Sequence, residues 1–146
     1  TLHISLLSED YLTHSGKYKR FFPSKFNEAP TMMKTSSEKY FIISSGCTGW
    51  SPNAARSASA DSIFGPWKEL GNPCISRDSL TTYYSQSTYI LPVQGIKDAY
   101  IFMADRWKPE NPIEGKYIWL PLKIKNNKLV ELEWKEKWDL SIFESN

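Results

Sequence analysis

Apolar and aromatic positions along this chain fall into short runs of strand length, not into helical spacing. "KYFIIS" (39–44), "STYIL" (87–91), "AYIFMA" (99–104) and "YIWLPLKI" (117–124) are rich in β-branched and aromatic residues. Such residues suit a pleated, half-buried surface. Turn signals separate the runs: "SPN" at 51–53, "FGPW" at 64–67, "GNP" at 71–73 and "NN" at 126–127. No stretch carries a sustained helical period with caps. The end, "ELEWKEKWDLSIFE" (131–144), is read as an outer strand followed by an extended tail.

The runs repeat faintly. One unit reads "TMMKT", "KYFIISS", "NAARSASA", "WKEL"; the next reads "STYILPV", "AYIFMAD", "YIWLPLKI", "LVELEW". Each is four strands ending on a Trp-bearing polar strand, and Tyr40 and Tyr100 fall in matching second strands, 60 residues apart (100 − 40). Four-strand units at such a period mark a β-propeller. On periodicity alone, a single antiparallel sandwich of short strands stands beside it. A propeller ring takes roughly four to eight blades, so on the propeller reading this chain is a piece. Residues 1–26 are then the end of a preceding blade, with 1–22 supplying an outer strand and exit loop. Residues 27–72 form one blade, 83–136 the next, and 137–146 a tail. A chain that begins at Thr1 is expected to have been processed or excised from something longer.

Composition narrows the function classes. At 146 residues one domain is expected. Eighteen basic residues stand against 16 acidic ones, which excludes a broad electrostatic nucleic-acid footprint. No apolar run approaches the length of a membrane span, and the first residues do not read as a signal peptide. Aromatics make up 14% of the chain, with 6 Trp and 8 Tyr, so either the core is strongly aromatic or several rings are exposed for stacking. Cys47 and Cys74 lie 27 positions apart (74 − 47), and there are only two His. That is no zinc spacing. Free, partly buried thiols are expected, with a disulfide left open.

Six segments in register carry a resemblance: "NEAPTMMK" (27–34), "YFIISSGCTGWSPN" (40–53), "GPWKELGNP" (65–73), "YYSQSTYI" (83–90), "FMADRW" (102–107) and "YIWLPLKI" (117–124). Together they resemble the C-terminal part of a glycoside hydrolase family 43 catalytic domain, in its exo-β-1,3-galactanase-like branch. "LLSEDYL" (6–12) also fits the segment preceding that family's acid motif. The resemblance implies an all-β fold, a fragment of a five-bladed propeller with about two blades and part of a preceding one. It implies a pocket at the centre of one face, lined by the innermost strand of each blade. The first blades, with any carboxylates they carry, would be absent.

Glycoside hydrolysis needs a carboxylic acid to protonate the leaving oxygen, and an inverting enzyme needs a more distant base to activate water. Glu28 precedes a strand and is followed by Ala29 and Pro30, which stiffen the local backbone. From the residues alone it is an ordinary turn glutamate; by resemblance it matches the family's general acid. Gln86 heads the next innermost strand, 58 positions on (86 − 28). The galactanase-like branch shows a glutamine at this strand head. An amide positions water or sugar well and is a very poor base unless it takes an imidic-acid form, so Gln86 is a catalytic candidate assigned first to positioning and second to the base that activates water. Cys47 departs from the polar or bulkier residue the family shows before Thr-Gly-Trp.

The substrate-binding candidates are Thr48, Trp50, Tyr84, Asp105 and Trp107. Blade packing is an equal reading for Trp50, and holding Arg106 or a loop backbone is the weightier reading for Asp105. Asn53 reads as a turn residue, and Trp67, Trp119, Trp134 and Trp138 as core. His3 and His14 receive no role, and no metal ligands are assigned. No cofactor is expected, although the resemblance leaves a central calcium ion open. The expected activity is inverting removal of terminal sugars, β-1,3-linked galactose foremost, by a secreted or periplasmic parent acting on oligo- or polysaccharides. A non-catalytic carbohydrate-binding propeller piece and a purely structural β domain are the alternatives. The isolated chain is expected to be inactive, its open faces covered by missing blades or by self-association.

Overall fold

The β-branched and aromatic runs pair in the order in which they occur. In the computed structural model, which describes residues 1–144, β1 (Leu2–Leu7) and β2 (His14–Phe21) form a two-stranded sheet. Strands β3 (Asn27–Lys34), β4 (Tyr40–Gly46), β5 (Arg56–Ala60) and β6 (Lys68–Gly71) form a four-stranded meander. Strands β7 (Gln86–Pro92), β8 (Tyr100–Arg106), β9 (Lys116–Lys125) and β10 (Leu129–Leu132) form a second one. All pairings within the sheets are antiparallel. These are blade-like sheets of a partial propeller, and Tyr40 and Tyr100 each open the second strand of their sheet.

The main core lies between the two meanders. Phe41 and Ile43 of β4 meet Phe102, Ile118 and Leu120 of the following sheet, all essentially sealed from solvent. Burying such side chains contributes about 1.5–3 kcal/mol each. Cys74 is a free thiol in this core. Desolvation pushes it up to about 12, so it stays neutral and packs as a small apolar group. Cys47, expected to be partly buried, is free and exposed.

Three further expectations need correction. Residues 1–22 form a hairpin of two strands, not one strand and a loop. The end of the chain is not wholly extended. Asp139 accepts a hydrogen bond from the Ser141 N–H at 2.9 Å and starts a 3-10 turn over Leu140–Phe143. That turn buries Phe143 against Ala99 and Ile101, edge-on to Trp138. Trp119 is not core: Ile118 and Leu120 take the inward positions of β9, and period two turns Trp119 outward, 52% exposed.

The connection between the sheets, residues 72–85, is irregular and tightly held. Thr82, Tyr83 and Tyr84 have φ of 51°, 58° and 59° in succession. Left-handed backbone costs a non-glycine residue roughly 1–2 kcal/mol, so the turn must be secured from outside. The Arg106 guanidinium donates two hydrogen bonds to the Tyr83 carbonyl, at 2.6 and 3.2 Å, and lies over the Trp134 ring. The Tyr83 hydroxyl, 1% exposed with its residue, donates to the Leu132 carbonyl at 2.6 Å. Tyr83→Phe leaves that carbonyl one donor short. It is expected to lower the stability of the full-length protein by about 1–3 kcal/mol in chemical denaturation; an unchanged midpoint would show that the hydroxyl secures nothing.

Candidate active site

Two edge strands, β3 and β7, run side by side where the sheets meet. Each is bulged just after its first residues. In β3, Glu28 pairs with Ser45 and Thr31 with Ile43, so Ala29 and Pro30 together oppose Ser44. Ala29 adopts φ 47°, and Pro30, lacking an N–H, is tolerated at a bulge on an edge strand. In β7, Ser87 pairs with Ala104 and Tyr89 with Met103, leaving Thr88 as the extra residue. The Ser87 hydroxyl donates to the Ala29 carbonyl at 2.6 Å and ties one bulge to the other. Arg56 braces the approach to Glu28 through the Lys25 carbonyl and the Asn27 side chain.

The bulges re-aim the two strand-head side chains toward each other. Gln86 Nε2 donates to Glu28 Oε1 at 2.9 Å and to Ser45 Oγ at 2.8 Å. Both amide hydrogens are thereby engaged, and the amide carbonyl is the one polar atom of Gln86 left for a ligand. Glu28 and Gln86 are half-buried and Ser45 is buried. The Gln86 contact falls on Glu28 Oε1. The exposed Cys47 thiol sits close enough to be affected: desolvation first, and then the Glu28 carboxyl, raise its pKa.

The aromatic rim is built by two loops. Gly49, at φ 62°, lets the 47–53 loop turn back on itself. Asn53 staples this loop, accepting from the Gly46 N–H at 2.8 Å and donating to the Gly46 carbonyl and to Thr48 Oγ. Thr48 in turn donates to the Ser51 carbonyl at 2.6 Å, so its hydroxyl hydrogen is spent inside the loop. Trp50 stands at the tip, 66% exposed, and meets Trp107 edge-to-face at 5.0 Å between centroids. A cavity of about 190 Å³ lies behind the pair, lined by Gln86, Tyr84, Trp50, Trp107 and Asn53 among others. Thr82 Oγ donates to the Asn53 carbonyl at 2.7 Å and locks the strained turn to the rim loop.

Asp105 stands opposite Gln86 in the β7–β8 register. It does not hold Arg106, whose guanidinium is taken by the Tyr83 carbonyl. Among the described residues no hydrogen bond or ion pair reaches the Asp105 carboxyl. The sequence-predicted residues Glu28, Gln86, Trp50, Tyr84 and Trp107 thus gather at one end of the two sheets, with Thr48 turned into its own loop. Sequence reasoning passes over Ser45 and Ser87, while Asn53, read as a turn residue, staples its loop. The signal for the first two was positional: each lies in or opposite a strand head that carries a candidate residue. Among the described residues no group of three or more His, Cys, Asp or Glu could hold a metal ion, and no helix is long and apolar enough to cross a membrane.

No protein-family model matches the chain, and a search of curated proteins returns no match. Solved structures do match. A GH43 β-1,3-galactosidase solved with galactodeoxynojirimycin is 45% identical over 94% of this chain and 39% of its own, with a TM-score of 0.89. A second GH43 β-1,3-galactosidase is 36% identical over 98% of this chain and 30% of its own, with a TM-score of 0.93. An exo-β-1,3-galactanase from Phanerochaete chrysosporium, solved as a variant with β-1,3-galactotriose, is 30% identical over 89% of this chain and 29% of its own, with a TM-score of 0.77. The chain therefore spans well under half the length of these relatives. With that likeness running through nearly all of its residues, the chain belongs to glycoside hydrolase family 43.

Proposed function

We propose that the full-length protein carrying this chain is an inverting glycosidase that removes terminal β-1,3-linked galactose, with Glu28 as general acid. The observation that supports this most is the hydrogen-bonded set Glu28–Gln86–Ser45 at the heads of two edge strands, beside an aromatic-rimmed cavity. The names of the relatives supply the sugar: they are β-1,3-galactosidases and a galactanase solved with a galactose-based oligosaccharide.

In this reading Gln86 occupies Glu28 Oε1 with its N–H, which leaves Oε2 to carry the transferable proton. The proton passes to the glycosidic oxygen as the bond to the anomeric carbon breaks, and the bonding pair leaves with that oxygen. Water adds to the anomeric carbon from the opposite face and gives up its own proton to a base. In single displacement that base stands about 6.5–9.5 Å from the acid. Gln86, in contact with Glu28 at 2.9 Å, is too close for that place. It serves as a positioning residue that orients the acid and offers its carbonyl to a sugar hydroxyl or water. The base is to be sought in the part of the full-length polypeptide that lies outside this chain. The same reading places the protein outside the cytoplasm, where its polysaccharide substrate would be met.

Incubation of the full-length protein with β-1,3-galactan tests the proposal: galactose is expected as the product. Binding of galactan without release would favour a non-catalytic carbohydrate-binding role. The rim gives a sharper test. Trp50→Ala is expected to weaken substrate binding by about 1 kcal/mol, read as a raised KM at unchanged melting temperature, because the ring is mostly exposed. A large fall in melting temperature with an unchanged KM would make Trp50 a packing residue instead.

A further inference from the structure

Ser45 closes a ring of hydrogen bonds around the strand-head glutamate. It lies directly across from Glu28 in the β3–β4 register and is only 5% exposed. Its hydroxyl donates to the backbone carbonyl of Glu28 at 3.4 Å and accepts from Gln86 Nε2 at 2.8 Å. The other hydrogen of that amide goes to Glu28 Oε1 at 2.9 Å. The backbone and the side chain of one glutamate are thus joined through a serine and an amide. The 3.4 Å bond is long, so its part in the ring is to direct the serine hydrogen rather than to add much strength. Ser45 also borders the small cavity that Gln86 lines, which places the ring at the edge of the space a ligand would enter.

A primary amide has nearly the same shape with its two ends exchanged, but the ends have opposite hydrogen-bonding character. Beside a carboxylic acid that difference decides the chemistry. With the N–H end toward Glu28, the carboxyl accepts in this contact, and a proton on Oε2 stays free for the glycosidic oxygen. With the carbonyl end toward Glu28, the acid would donate its proton to the amide and withhold it from the substrate. The carboxyl alone does not enforce the first arrangement, since a protonated carboxyl both donates and accepts. Ser45 does. Its hydrogen is directed at the Glu28 carbonyl, so it presents lone pairs to Gln86, and only the N–H end answers them. To take the reversed amide, the hydroxyl would have to turn its hydrogen away and give up that bond; without the turn, two acceptors would face each other in a buried place, which is costly. Resting on the glycosidase reading above, we infer that Ser45 is a positioning residue. It fixes the Gln86 amide with its N–H toward Glu28 and so reserves the acid's proton for the leaving oxygen. The same N–H bond strengthens as the proton departs, because a donor to an ionised carboxylate is charge-assisted.

A double-mutant cycle in the full-length protein, with β-1,3-galactobiose as substrate, tests this role. Ser45→Ala is expected to lower kcat by about tenfold, the worth of one well-placed hydrogen bond, with KM within about twofold of its original value. In a Gln86→Ala background the same change should cost nothing further, because Ser45 acts only through that amide. Ser45→Thr, which keeps the hydroxyl, should recover most of the loss. Losses that add in the double variant would overturn the proposal and make Ser45 a packing residue; a change confined to KM would overturn it in favour of a direct sugar contact. A second readout needs no turnover. In 15N-labelled protein, the Gln86 side-chain NH2 pair, identified by its disappearance in Gln86→Ala, should exchange with solvent about tenfold faster in Ser45→Ala. Unchanged exchange would show that Ser45 does not hold the amide. If Ser45→Thr does not fold, the cycle and the exchange rates carry the test. The glycosidase reading fails separately, if the unmodified protein releases no galactose from galactobiose, and the exchange rates still decide the hold on the amide in that event.

Discussion

Glu28→Gln in the full-length protein is expected to cut turnover of β-1,3-galactan by about 10²–10⁴-fold, the usual worth of a general acid. The substitution keeps the volume of the side chain and retains an oxygen that can accept from Gln86 Nε2, so the strand-head contact seen at 2.9 Å can persist. What it removes is the transferable proton. The loss should therefore depend on the leaving group. Galactosyl leaving groups need protonation and should suffer the full effect. An activated aryl galactoside departs with little help and should suffer far less. A residue that only bound substrate would lose similar factors on both, so equal losses would take the acid role away from Glu28.

Gln86→Ala is expected to cost about 10²-fold, the scale of a catalytic group held out of place, and to cost it on both substrates. Two bonds vanish together, those to Glu28 Oε1 and Ser45 Oγ. The Glu28 carboxyl loses its fixed orientation, and the amide carbonyl that would hold sugar or water is gone. Placement matters whatever the leaving group, which gives this variant a different signature from Glu28→Gln. A loss confined to the galactan would mean that Gln86 acts through the proton donor alone. No loss on either substrate would make the contact incidental.

Much of the fold was legible because period two and β-branched runs report directly on strands. All four long apolar runs lie in strands, and the 60-residue offset between Tyr40 and Tyr100 marks equivalent positions in two meanders. In sequence, residues 1–22 read as a strand and a loop because β2, exposed along nearly its whole length, lacks the apolar alternation that announces a strand. Trp119 reads as core from its recurring strand position, whereas alternation with Ile118 and Leu120 turns it outward. The left-handed run at 82–84 has no glycine to announce it; it exists because Arg106, distant in sequence, holds the Tyr83 carbonyl. The contact of Glu28 with Gln86 across 58 positions was likewise beyond pattern reading, since two bulges on neighbouring edge strands create it. The Ala29–Pro30 step after Glu28 was the visible half of that device.

The most direct test of the central claim is proton NMR of the galactose first released from β-1,3-galactobiose by the full-length protein, recorded before mutarotation. Single displacement with Glu28 as acid predicts α-galactose as the first product, and release slowed by about 10²–10⁴-fold in Glu28→Gln. β-Galactose as the first product, or undiminished release in Glu28→Gln, would contradict it.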